Sequence, residues 1–153
     1  IPQLILEKNL YGVEIDERAG ELASFSLVMK SLQYDKRFLR RNTKNGHGTK
    51  PNICVLQNIS FCSQELNDYM VHVGRDLFTA NLETTLQQFE EADNFGSLIR
   101  PAVTDVHEIV RLLDEKDVTG NMFLAETHKK VLLALTQADY LSSKYHVGVA
   151  NPP

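Results

Sequence analysis

The chain has 153 residues, enough for one domain with a real core and hardly enough for two. Hydrophobic residues make up 42% and charged residues 24%, and the net charge is −4, so bulk charge does not attract nucleic acid. No apolar run approaches membrane-spanning length and the start, Ile1-Pro2-Gln3, is not laid out as a signal peptide, which argues against a membrane partner.

There is no initiator Met, so the chain is expected to be an internal piece of something longer. Cys54 and Cys62 form no CxxC pair and stand in apolar surroundings. They are expected to be reduced core thiols of a cytoplasmic protein.

Taken in order, residues 1–9 read as a short helix that Asn9 can stop. Leu10–Asp16 reads as a strand in which Gly12 admits another backbone. Asp16 has the position of an N-cap, with Glu17 in the positive first turn of a helix running to about Gln33. Ala19, Leu22, Ala23, Ser26, Leu27 and Lys30 mark one face of that helix, and Phe25, Val28, Met29 and Leu32 widen its apolar side. Lys36, Arg37, Arg40, Arg41, Lys44 and Lys50 follow without an acid among them. They are a solvated helix end and loop or a phosphate-contacting patch. Ile53–Leu56 is a second strand, closed by Gln57-Asn58.

Helical periodicity then covers roughly 64–73, 79–92, 104–114 and 121–139, with breaks near Gly74, Pro101 and Gly120. Tyr145–Ala150 reads as a third strand, and Asn151-Pro152-Pro153 ends it, because Pro cannot donate to a ladder. Strand, helix, strand, helical insertion over 60–139 and strand give the α/β class, a partial doubly wound Rossmann-like sheet, with the whole of 1–153 inside one catalytic domain.

Few constellations carry chemistry. Glu14 is either a solvent-facing strand residue or the acid that accepts both hydroxyls of a ribose at a strand end. Asp16 is accounted for as a cap. Asn58 is a turn residue or a hydrogen-bonding partner for an adenine edge. The five histidines form no metal-ligand pattern, and His107-Glu108-Ile109-Val110-Arg111 lacks the second His of a zinc helix. There is no P-loop and no GxSxG nucleophile turn.

Asn151-Pro152-Pro153 suits the activation of a weakly nucleophilic planar amine. The Asn151 side-chain oxygen and the Pro152 carbonyl can each accept one N–H of such an amine and localise its lone pair toward an activated methyl. Catalysis would then rest on positioning and charge stabilisation. As an alternative, the same residues form a strand exit and turn.

Together, Asn151-Pro152-Pro153 and Gly12-Val13-Glu14-Ile15-Asp16 resemble the Asn-Pro-Pro-aromatic and second-strand motifs of S-adenosylmethionine-dependent N6-adenine DNA methyltransferases. Leu10–Phe38, Pro51-Asn52-Ile53-Cys54 and Phe95-Gly96-Ser97-Leu98-Ile99-Arg100-Pro101 resemble the large PglX-type enzymes of BREX phage-defence systems. The resemblance implies that Glu14 holds the cofactor ribose, Ile15 packs on its adenine and Asn58 meets the adenine edge. It implies that Asn151 and Pro152, followed by Pro153, hold the target amine of a base flipped out of double-stranded DNA. Further phage-defence proteins are implied as partners, and no metal is.

The chain departs from the family pattern in lacking the glycine-rich cofactor loop, the aromatic residue after Pro153 and a target-recognition domain, so these residues alone are expected to be inactive. In the strand order 3-2-1-4, Leu10–Ile15 neighbours Ile53–Leu56, and His146–Ala150 pairs with a strand outside the chain, which leaves a gap between Val13 and Val147 unless the two collapse together. Methylation of an RNA base or a protein glutamine is a second enzymatic reading, and a non-catalytic helical interaction module is a third. A nicotinamide dehydrogenase explains Glu14 but not Asn151.

Overall fold

A computed structural model describes residues 2–40, 50–74, 77–103, 105–118 and 120–150. The basic loop 41–49 and the Asn151-Pro152-Pro153 motif therefore lie outside the described residues. The chain divides into two compact units, one made of Ile1–Asn58 with Glu91–Leu98 and the other of Ile59–Glu90 with Ile99–Pro153.

The first unit is built on a parallel strand pair. Helix α1 (Pro2–Lys8) leads into β1 (Tyr11–Glu14), helix α2 (Glu17–Tyr34) follows, and β2 (Asn52–Val55) pairs with β1 in the register Tyr11 with Asn52 and Glu14 with Val55. This is the neighbour relation expected from the sequence. The α1 end is held from a distance, because the Asn52 amide donates to the carbonyls of Leu6 (2.9 Å), Glu7 (3.1 Å) and Leu10 (3.3 Å). One side chain thus satisfies carbonyls that a helix end otherwise leaves open.

Asp16 caps α2 as expected, its carboxylate accepting from Ala19 N at 2.9 Å. The buried face of α2 matches the expected one in part, since Ala19, Ala23, Leu27, Val28 and Leu32 are half-buried. Gly20 and Ser31 are buried, whereas Leu22, Phe25 and Met29 are exposed. Gly20 sets this orientation, since a Cβ there would lie 2.5 Å from Val55 Cγ2. The helix approaches the stiff, β-branched Val55 closely only because position 20 carries no side chain.

The second unit is helical, with α3 (Ser63–Val73), α4 (Leu77–Gln87), α6 (Val106–Asp114) and α7 (Met122–Ser142). Its core holds Leu66, Tyr69, Leu82, Leu86, Phe89, Leu113, Val131, Ala134 and Leu135, and α7 packs against α3, α4 and α6. Helix starts follow the sequence. Asp105 accepts from Glu108 N, and Asn121 accepts from Phe123 N and Leu124 N. The run expected over 79–92 stops at Gln87, where Gln88, Phe89 and Glu90 tighten into bonds to the third residue back and the Phe89 carbonyl accepts from Ile59 N at 2.8 Å. Buried Thr85 takes the backbone N–H groups of Ala102 (3.0 Å) and Val103 (3.2 Å) on its hydroxyl.

Three expectations are corrected here. Residues 145–150 form no strand, and Val147 and Val149 are 82% and 98% exposed. Apolar alternation needs a ladder partner to become a strand, and the sheet of the described residues contains only β1 and β2. The expected gap beside Val13 is therefore neither kept nor closed by a strand at Val147. Cys62 is exposed just ahead of α3 and is not a core thiol, whereas Cys54 is buried and its thiol is pushed up to about 11 by that burial.

A polar cluster joins α3 to α7. Glu65 accepts from Cys62 N (3.2 Å), the Thr127 hydroxyl (2.8 Å) and Lys130 Nζ (3.0 Å). Burial by itself would raise the Glu65 carboxyl. The hydrogen bonds from Lys130, Thr127 and Cys62 outweigh it and hold the group below its ordinary 4.5. A carboxyl whose folded pKa is depressed contributes stability above its unfolded pKa and loses it as pH falls through the folded value. The melting temperature is therefore expected to fall on acidification below about pH 4.5. In Glu65→Gln this part of the fall should be missing, by less than about 1 kcal/mol because the pair is part-exposed. Identical pH profiles of melting for the two proteins would show that the cluster makes no such contribution.

Candidate functional site

Parallel pairing puts the carboxyl ends of β1 and β2 on one edge of the strand pair. Glu14 ends β1, and Gln57-Asn58 follow β2 just past Leu56, whose N–H donates to the Glu14 carbonyl at 2.8 Å. Glu14, Ile15 and Asn58 are thus carried by the same edge, where ligands of open α/β sheets bind.

Glu14 is oriented by its own backbone. Its Oε1 accepts from Ile15 N at 2.9 Å and from Asp16 N at 3.3 Å, at the turn that opens α2. Holding one carboxylate oxygen fixes the plane of the group, and the other oxygen is not used in these bonds. That leaves the second oxygen, with two lone pairs, to accept from a neighbouring diol. Ile15 follows with 52% of its surface exposed, apolar area at the edge itself.

Asn58 has a structural partner. Its side-chain oxygen accepts from Asp93 N at 3.0 Å, at the start of α5 (Ala92–Phe95). The chain therefore returns to the first unit over Glu91–Leu98 and is tied to the residue at the end of β2. Gly96 lies next to Ile15, where a Cβ on it would be 3.5 Å from Ile15 Cγ2. Its φ of 51° and ψ of −128° suit glycine alone. Phe95-Gly96-Ser97 carries a family resemblance in the sequence but no site role; the signal that could find it is a glycine with Phe95 just before it and Leu98 two residues after.

Asn151, Pro152 and Pro153 lie outside the described residues, so only the β1–β2 part of the expected site has a described geometry. A groove of about 700 Å³ lined by Ile5, Leu6, Leu10, Leu27 and Tyr34 opens by the far end of α2 and includes none of Glu14, Ile15 or Asn58. Among the described residues no group of three or more His, Cys, Asp or Glu is arranged to hold a metal ion. Among them, too, no helix is long and apolar enough to cross a membrane.

Comparison with known proteins gives two relatives. The chain is 33% identical over 177 aligned positions to the adenine-specific methyltransferase BrxX of Escherichia coli O9:H4 (strain HS), covering 100% of this chain and 14% of that protein. It is 30% identical over 158 positions to the adenine-specific methyltransferase PglX of Lacticaseibacillus casei (strain Zhang), covering 99% of this chain and 12% of that protein. Along its whole length the chain is a relative of the PglX-type adenine-specific methyltransferases. The match to the PglX-type proteins runs through both units, so it takes in β1, β2 and the returning segment alike. The chain spans about one seventh of the first relative's length and about one eighth of the second's. No family model matches the chain.

Proposed function

We propose that the chain is an internal part of the catalytic domain of an enzyme that transfers a methyl group from S-adenosylmethionine to N6 of adenine in double-stranded DNA, in phage defence of the BREX type or in restriction-modification. The observation that carries this reading is Glu14 at the carboxyl end of β1, oriented by two backbone N–H groups, in a chain similar throughout to adenine-specific methyltransferases.

In this reading the bound cofactor supplies an electrophilic methyl group. Glu14 holds the ribose hydroxyls through its carboxylate, and Ile15 lies against the adenine ring. Asn151 and the Pro152 carbonyl accept the two N–H groups of the target amine, and Pro153 stiffens the backbone that holds them. With the cofactor bound, the lone pair of that amine would be directed at the methyl carbon; the methyl–sulfur bond would break as the C–N bond forms, the sulfur would leave as a neutral thioether, and the amine proton would pass to water. The target base reaches these groups by leaving the duplex stack.

Residues 60–139 are read as a helical elaboration within one catalytic domain, and a cytoplasmic location fits the DNA substrate. Other phage-defence proteins are the proposed partners. The 153 residues alone are expected to transfer no methyl group.

The full-length protein, given donor labelled on the methyl group and unmethylated duplex DNA, is expected to place label on adenine N6. Label on RNA or on protein glutamine in place of DNA, or no label on any of them, would overturn the proposal.

A further inference from the structure

The chain leaves the β1–β2 unit after Asn58, runs into the helical unit and comes back for Glu91–Leu98 before leaving again. A helical excursion does not by itself require such a return. The segment comes back to the carboxyl edge, next to Glu14 and Ile15, and three features hold it there. Asn58 accepts from Asp93 N at 3.0 Å, Ala92 and Gly96 are buried, and Gly96 takes a backbone conformation closed to side-chain-bearing residues so that it can lie against Ile15. The anchored turn nevertheless leaves apolar surface open. Phe95 is 54% exposed and Leu98 is 74% exposed, on either side of the Gly96 that lies against Ile15.

A turn fixed this firmly, with large apolar side chains left uncovered and its Gly96 against the residue that follows Glu14, has the form of a wall for a flat aromatic ring. We infer that the Phe95-Gly96-Ser97 turn forms, with Ile15, the pocket for the adenine of the cofactor, and that Asn58 acts as a positioning residue that holds this turn. The inference rests on the proposed function. It changes the part given to Asn58, whose side-chain oxygen works on the protein backbone and not on the adenine edge.

The test uses the full-length protein and measures binding of S-adenosylmethionine and of 5′-methylthioadenosine, which shares its adenosine part, by calorimetry. Duplex DNA affinity and melting temperature are measured in parallel. Phe95→Ala is expected to weaken both small ligands by about tenfold, the scale of losing one aromatic stacking partner. Asn58→Leu is expected to weaken both by about tenfold by leaving Asp93 N unpaired. Asn58→Asp keeps an acceptor oxygen and is expected to stay within about threefold of wild type. DNA affinity and melting temperature should not change in Phe95→Ala. Wild-type affinity in both Phe95→Ala and Asn58→Leu overturns the inference, and so does a loss in Phe95→Ala that extends equally to DNA. A wild-type protein that binds neither small ligand overturns the proposed function itself.

Discussion

Asn151→Ala in the full-length protein is expected to lower the rate of adenine methylation by about 10²–10³, the scale seen when one preorganised polar contact to a reacting group is removed. The exocyclic amine of adenine is a poor nucleophile because its lone pair is delocalised into the ring. In the proposed site two acceptors, one for each N–H, localise that pair, and the substitution removes one of them. The other is the Pro152 carbonyl, which belongs to the backbone and survives any side-chain change, so Pro152→Ala should cost less than Asn151→Ala. Cofactor affinity should stay near wild type in Asn151→Ala, since the ribose and adenine contacts are assigned to other residues. Single-turnover methyl transfer with saturating cofactor reads the effect directly. A rate within a few-fold of wild type would remove Asn151 from the reaction.

Glu14→Ala is expected to weaken S-adenosylmethionine binding by about ten- to a hundredfold, because hydrogen bonds to a charged group contribute about 1.5–3 kcal/mol and 1.4 kcal/mol is a factor of ten. The same carboxylate accepts from Ile15 N and Asp16 N, so part of the loss could come from a loosened α2 start. Glu14→Gln separates the two effects. It keeps an oxygen for the backbone N–H groups but loses the charge and one acceptor for the diol. Weak cofactor binding with an unchanged melting temperature in Glu14→Gln is the expected pattern. Equal cofactor binding in wild type and both variants would make Glu14 a turn residue only.

Much of this was legible in the sequence where the cause is local. Asp16 reads as a cap from its position before a periodic run and caps through Ala19 N. The β1–β2 pairing follows from two short apolar runs joined through a helix, and the strands pair in parallel. Where the cause is distant, local pattern misled. The alternation in His146-Val147-Gly148-Val149 describes what a strand would bury, but whether it is a strand depends on a neighbour that no local pattern encodes. The inward face of α2 centres on Gly20, which Val55 approaches closely, so counting apolar residues along α2 also takes in Leu22, Phe25 and Met29, which are exposed. Cys62 follows Phe61 but stands among Ser60, Ser63 and Gln64, and it faces solvent. The return of residues 91–98 is held by the Asp93 N–H donating to Asn58 and by the burial of Ala92 and Gly96, and the sequence marks it only by a glycine that permits the turn.

That return also fixes a timetable for synthesis. Ile15 and Asn58 emerge from the ribosome early, but the segment that ties to Asn58 and lies on Ile15 follows only after the helices around Leu66 and Leu82 have been made. Chains fold largely as they emerge, at about 5–20 residues per second. The nascent β1–β2 edge therefore spends about two to seven seconds with its carboxyl end unfinished. A slow codon stretch or a folding defect between positions 59 and 90 would leave the protein with its strands paired and this edge incomplete, without altering any residue of the edge itself.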